Sequence, residues 1–121
     1  MAKTFEYLEA WQNAIKLAKK IYLLTKKYPK EEIFSLTNQM RRAVISISSN
    51  IAEGSSRKSV KEFIYFLEIA LGSLNELESL LILSFELKYI SKLVLENYQQ
   101  DIIKTGEFIG GLKRYLCKKI K

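Results

Sequence analysis

Cations in two groups supply most of the chemistry this chain can offer. Arg57, Lys58 and Lys61 form one group, and Lys113, Arg114, Lys118, Lys119 and Lys121 form the other. Such groups neutralise phosphates and release counterions, so their first reading is contact with a nucleic-acid backbone, with nearby tyrosines as stacking faces. Catalytic chemistry lacks its usual parts. There is no histidine, one cysteine (Cys117) and one aspartate (Asp101). A serine or cysteine nucleophile would have no imidazole base, and zinc would find one soft ligand. A di-iron bundle needs Glu-x-x-His pairs, which a chain without histidine cannot supply. The glycines spell neither a phosphate-binding loop nor a dinucleotide fingerprint. The expectation is a protein that is not an enzyme, with no cofactor and no metal.

The formal charge of +7 is unevenly spread. Residues 1–32 carry +3, 33–61 carry +4, 62–103 carry −5 and 104–121 carry +5. A positive balance of this kind attracts polyanions, and it is equally the solvated surface of an ordinary soluble bundle. The 121 residues suffice for a single domain (residues 1–121) with one core. One proline and five glycines leave little punctuation, which favours a few long helices. The lone cysteine excludes an intrachain disulfide and, with the charged stretch Met1–Tyr28 in place of a secretory leader, suggests a cytoplasmic protein. The most apolar region, Phe63–Leu87, is interrupted by Glu68, Glu76, Glu78 and Glu86, so no membrane span is expected.

Four helices must position these groups, over approximately 5–28, 31–53, 60–87 and 91–119. In the first, Leu8, Trp11, Ile15, Ala18, Tyr22 and Thr25 repeat at three-four spacing and predict a buried seam. Thr4 is its candidate cap, and Pro29 ends it. In the second, Ile45 and Ile47 alternate with serines as in a strand. At 100° steps, however, Ile33, Leu36, Met40, Ala43, Val44, Ile47 and Ile51 share one stripe opposite Arg42, Ser46, Ser49 and Glu53. Arg41 and Arg42 point in different directions. Gly54 is predicted to end this helix in a left-handed conformation, with Asn50 bonded to another helix or its backbone. Glu53 opposes the helix dipole and is either a solvated surface charge or paired with a cation, Arg57, Lys58 or a basic group of another helix or subunit.

Ser59-Val60-Lys61-Glu62 is a capping box that opens the third helix. Its seam is Phe63, Leu67, Ala70, Leu74, Leu77, Leu81 and Ser84. Further apolar residues on both flanks exceed one contact face, so this helix is either central or covered by another subunit. Ser91 starts the fourth helix, whose seam is Leu95, Tyr98, Ile102, Thr105, Ile109, Leu112 and Leu116. Gly110-Gly111 should weaken it or mark a close helix contact. Short connections make neighbours antiparallel, giving an all-α, up-down-up-down four-helix bundle.

Gln39-Met40-Arg41-Arg42-Ala43, Ser46-Ile47, Asn50-Ile51-Ala52-Glu53-Gly54, Ile69-Ala70, Gly72-Ser73 and Glu76 form a specific string. With Leu8, Trp11, Ala14, Tyr22 and Pro29, it resembles the bacterial family encoded in intervening sequences of 23S ribosomal RNA genes, over nearly the whole chain. Ser35 stands where a glycine is frequent and Ser48 where a proline is. The resemblance implies a four-helix bundle, often a pentamer. Through its relation to the accessory protein of diversity-generating retroelements, it also hints at nucleic-acid binding. Arg41, Arg42, Asn50, Glu53 and Gly54 would then be structural motif residues.

If the helices alternate, the loop between the second and third lies beside the end of the fourth. Arg57, Lys58, Lys61, Lys113, Arg114, Lys118 and Lys119 would gather there as a nucleic-acid site, for RNA before DNA, on a homo-oligomer. The competing expectation is a scaffold for a protein partner whose charge is incidental.

Overall fold

The computed structural model describes residues 4–120. Four α-helices carry the fold: α1 (Glu9–Thr25), α2 (Leu36–Ser55), α3 (Val60–Glu86) and α4 (Lys92–Lys118). Short 3-10 turns, Thr4–Tyr7 and Lys30–Glu32, precede the first two. Each helix packs on its neighbours in the cyclic order α1, α2, α3, α4, while α1 and α3, like α2 and α4, do not approach closely. Contacts show the alternation. Along α2 and α3, Met40 meets Ser84, Ser46 meets Ser73, and Gly54 meets Phe63 and Phe66. Glu78 meets Gln99, and Glu68 meets Lys113, along α3 and α4. Partners advance on one helix as they retreat on the next, as in an up-down-up-down bundle.

The helix ends differ from the expected ranges for local reasons. Leu8 is extended (φ −79°, ψ 124°) and separates α1 from the turn before it. The Gln12 amide spans this bend, donating to the Glu6 carbonyl at 2.9 Å. The side chain of Thr4 lies outside the described residues, and so does Lys121. α1 stops at Thr25 rather than Tyr28. The next residues turn more tightly, Tyr28 N–H reaching Thr25 O at 3.1 Å, ahead of the proline that disfavours helical geometry before it. α2 starts at Leu36 rather than Glu31, because Ser35 (φ −130°, ψ −108°) breaks the run. Glu32 therefore precedes α2, its carboxylate accepting from Leu36 N–H at 3.4 Å, as negative charge at a helix N-terminus should.

Ser59 Oγ accepts from Glu62 N–H at 3.3 Å, and Ser91 Oγ from Val94 N–H at 3.1 Å, so both serines cap their helices. α3 ends in a Schellman turn: Tyr89 N–H bonds Ser84 O and Lys88 N–H bonds Phe85 O, each at 2.9 Å. Lys88 takes the left-handed position (φ 66°) that glycine usually fills.

The core joins Leu17 and Ile21 of α1, Met40, Val44, Ile47 and Ile51 of α2, Leu67, Leu77 and Leu81 of α3, and Ile109 of α4. The expected α3 seam is buried from Leu67 to Ser84, and the α4 seam from Leu95 to Leu116 except for half-buried Leu112. In α1 the buried seam is Ala10, Ala14, Leu17, Ile21 and Thr25. That corrects the expected one: Ile15 and Tyr22 are exposed, and Trp11 and Ala18 lie at its edge. Alanines at Ala10 and Ala14 let the backbone approach closely, so the helix turns its small residues inward. Ile33 lies before α2 and is exposed.

Candidate nucleic-acid interface

The alternating topology brings the end of α2, the start of α3 and the end of α4 to one pole, beside the start of α1. Residues 54–61 supply Arg57, Lys58 and Lys61 with no carboxylate among them. Residues 108–120 supply Lys113, Arg114, Lys118 and Lys119, again with none. Glu53, Glu62 and Glu107 flank these segments.

The fold already uses two of the seven cations. Arg57 pairs with Glu53 at 2.6 Å and lies 5.0 Å from the centre of the Phe66 ring. This is the cation that Glu53 calls for at the end of its helix. Lys113, half-buried, pairs with Glu68 of α3 at 3.1 Å. Lys119 lies 4.8 Å from the centre of the exposed Tyr115 ring, a cation beside an open stacking face. Lys58, Lys61, Arg114 and Lys118 are exposed, and none of them forms an ion pair among the described residues.

The profile of the 23S rRNA-intervening sequence proteins matches residues 6–111. The chain belongs to that family. A crystal structure from Bacteroides thetaiotaomicron, of a protein with unknown function from the S23 ribosomal protein family, superposes with a TM-score of 0.80. It is 27% identical, and the match covers 87% of this chain and 95% of that one. Among curated proteins the chain has no sequence match.

Of the motif residues, Gly54, Asn50 and Arg41 make contacts within the bundle. Gly54 lies inside α2, buried, and no glycine in the described residues has a positive φ. The expected left-handed terminus is therefore wrong. A Cβ at Gly54 would lie 2.8 Å from Phe66 Cβ and 2.9 Å from Phe63 Cδ1, so glycine serves close contact between α2 and α3. Of the partners expected for Asn50, another helix or backbone, it takes the backbone of its own helix. Its amide donates to Ser46 O (2.7 Å) and Ser46 Oγ (2.9 Å), and Ser46 Oγ bonds Ser73 Oγ of α3 at 2.8 Å. Ser46, expected on the solvent face, is thus the bridge. Arg41 donates to Thr25 Oγ1 at 2.9 Å and lies 4.7 Å from the Tyr22 ring centre, whereas Arg42 is exposed.

Sequence reasoning missed a groove of about 430 Å³ at this pole, lined by Leu71, Gly110, Lys113, Arg114, Cys117 and Lys118. Gly110-Gly111 was its only visible signal. These glycines relieve no helix contact, since only Arg114 nitrogens come near their Cβ positions, at 3.4 and 3.7 Å. Gly106 is the glycine against α3, 3.3 Å from Leu74 Cδ2. No described helix is long and apolar enough to cross a membrane.

Proposed function

We propose that the protein is a non-catalytic, cytoplasmic homo-oligomer, a pentamer by first assignment, whose basic pole holds the phosphate backbone of nucleic acid. One observation carries this reading: two acid-free basic segments, far apart in sequence, share one end of the bundle. Four cations there are exposed and form no ion pair among the described residues, so neutralising phosphates disrupts no bridge between them. RNA is the first candidate because the family is named for 23S rRNA. Support for the oligomer comes from α3, which touches α2 and α4 yet leaves Tyr65, Ile82 and Leu83 exposed. In a ring with subunits oriented alike, every copy adds its pole to one face and strengthens the field.

The test is polynucleotide retention across a salt series, with light scattering on the same sample. Tight binding at low salt that weakens steeply as salt rises, on a particle larger than a monomer, is the expected outcome. A monomer refutes the oligomer. An intact oligomer that retains no polynucleotide at low salt favours a protein-interaction scaffold instead. That second reading draws on Phe34, which is 93% exposed and suited to a protein partner.

A further inference from the structure

The groove between α3 and α4 has an unusual construction. Two adjacent glycines interrupt a long helix, where glycine is a costly residue. Neither is needed for packing or for a positive φ, unlike Gly54, whose contact with α3 excludes a side chain. What they provide is a seat of bare backbone on which the Arg114 side chain lies. Gly110 borders the groove, the Leu71 side chain offers an apolar surface, and Lys113, Arg114 and Lys118 surround it. Arg114 lies over both glycines, with its guanidinium nitrogens next to their Cβ positions. Glu68 holds Lys113 from one side, leaving Arg114 and Lys118 without an ion pair among the described residues.

We propose that this groove seats one unpaired nucleotide of a bound strand. The base lies against Leu71 and stacks on the outward face of the Arg114 guanidinium, which covers Gly110, and its phosphate meets Lys118 and Lys113. A guanidinium stacks on flat π-systems while keeping its charge, which an ammonium does not do as well. The volume falls within the roughly 300–1,000 Å³ of small-ligand clefts. A paired base cannot present its face, so the groove selects single strands. The proposal rests on the phosphate-binding reading above and adds base recognition to it.

The probes are a short oligouridylate, an inorganic polyphosphate of equal charge and a duplex RNA. The variant is Gly110→Leu, which fills the groove without removing a cation. Gly111→Leu is the control, because Gly111 borders a different groove, beside Tyr7, Leu8 and Phe108. A thermal melt verifies that both variants fold. Oligouridylate is expected to bind the parent about tenfold tighter than polyphosphate, in line with the usual strength of stacking on a base. Gly110→Leu should erase that preference while polyphosphate and duplex binding stay as in the parent, and Gly111→Leu should keep it. Cys117 gives an independent readout. It is the only cysteine, free and exposed in the groove, so oligouridylate should slow its alkylation and polyphosphate should not. Unchanged oligouridylate affinity in Gly110→Leu would overturn the proposal, and so would an equal loss for all probes. A shifted oligomer mass with affinity intact would also overturn it, assigning the groove to a subunit contact. If the parent binds none of the probes, the phosphate-binding reading itself falls.

Discussion

The two ends of the bundle are held together by different means. At the far end, where α1 and α3 finish and α2 and α4 begin, side chains latch the helices. Tyr89 donates to the Glu32 carboxylate at 2.7 Å, Tyr98 to the Lys20 carbonyl at 2.9 Å, and Arg41 to Thr25 at 2.9 Å. The Tyr28 and Tyr89 rings lie 5.3 Å apart, and Lys20 pairs with Asp101. At the basic end, α2 seats on α3 through the missing side chain of Gly54, and four cations form no ion pair among the described residues. Charge is arranged differently too. Far-end lysines sit among acids, Lys30 beside Glu31 and Glu32, Lys88 after Glu86, and Lys92 four residues before Glu96, whereas 108–120 holds four cations and no acid. Stability at one end thus depends on polar side chains. At the other it depends on the close seat of Gly54 on α3 and on the Glu68–Lys113 pair, which leaves four exposed cations available to a ligand.

The largest effect that would sharpen this contrast lies at Gly54. Alanine for glycine within a helix normally stabilises by up to about 1 kcal/mol. At Gly54 the sign should reverse, because the added Cβ meets Phe66 Cβ at 2.8 Å; overpacking of this kind costs about 1–3 kcal/mol. Gly54→Val should cost more still. At Gly72, where nothing lies within 4 Å, alanine should stabilise. Urea unfolding of the three variants checks the signs, and a stabilised Gly54→Ala would break the close-approach account.

Smaller effects belong to the far end. Tyr98→Phe should cost about 1 kcal/mol by removing the hydrogen bond to the Lys20 carbonyl, while Lys58→Gln or Arg114→Gln should stay within about 0.5 kcal/mol of the parent. Equal losses at both ends would erase the distinction. Alkali should act on the same latch. Burial, followed by the Asp101 charge, pushes the Tyr98 phenol up to about 12. The hydrogen bond to the Glu32 carboxylate raises Tyr89, and burial raises Tyr28. An unfolded tyrosine titrates near 10. These groups favour folding fully below about pH 10, and the contribution is lost as pH rises through the folded values, towards 12 for Tyr98. Urea midpoints should therefore fall above pH 10, and less steeply in Tyr98→Phe than in the parent.

Sequence periodicity placed the long seams of α3 and α4 correctly, because large apolar residues at three-four spacing dominate both helices. It misplaced the α1 seam because Trp11, Ile15 and Tyr22 outweigh Ala10 and Ala14 in hydrophobicity, whereas close packing favours the alanines. Gly54 carried two meanings, helix end or close approach, and only Phe63 and Phe66 across the interface decide between them. The site was legible in part. Glu53 and Arg57 are four residues apart and announce each other, but Glu68 and Lys113 belong to different helices. No local pattern gives the register of α3 against α4, so the groove beside Gly110 was not legible either.

The salt dependence of RNA affinity tests the central claim most directly. A Lys58→Gln, Lys61→Gln, Arg114→Gln, Lys118→Gln variant is compared with one carrying Lys26→Gln, Lys27→Gln, Lys88→Gln and Lys92→Gln at the far end. Each phosphate contact on a single strand contributes about 0.7 to the slope of log affinity against log salt. The account predicts that the basic-end variant loses roughly three units of slope and that the far-end variant keeps the parent's. Equal slopes in the parent and the basic-end variant, or a loss confined to the far-end variant, would contradict it.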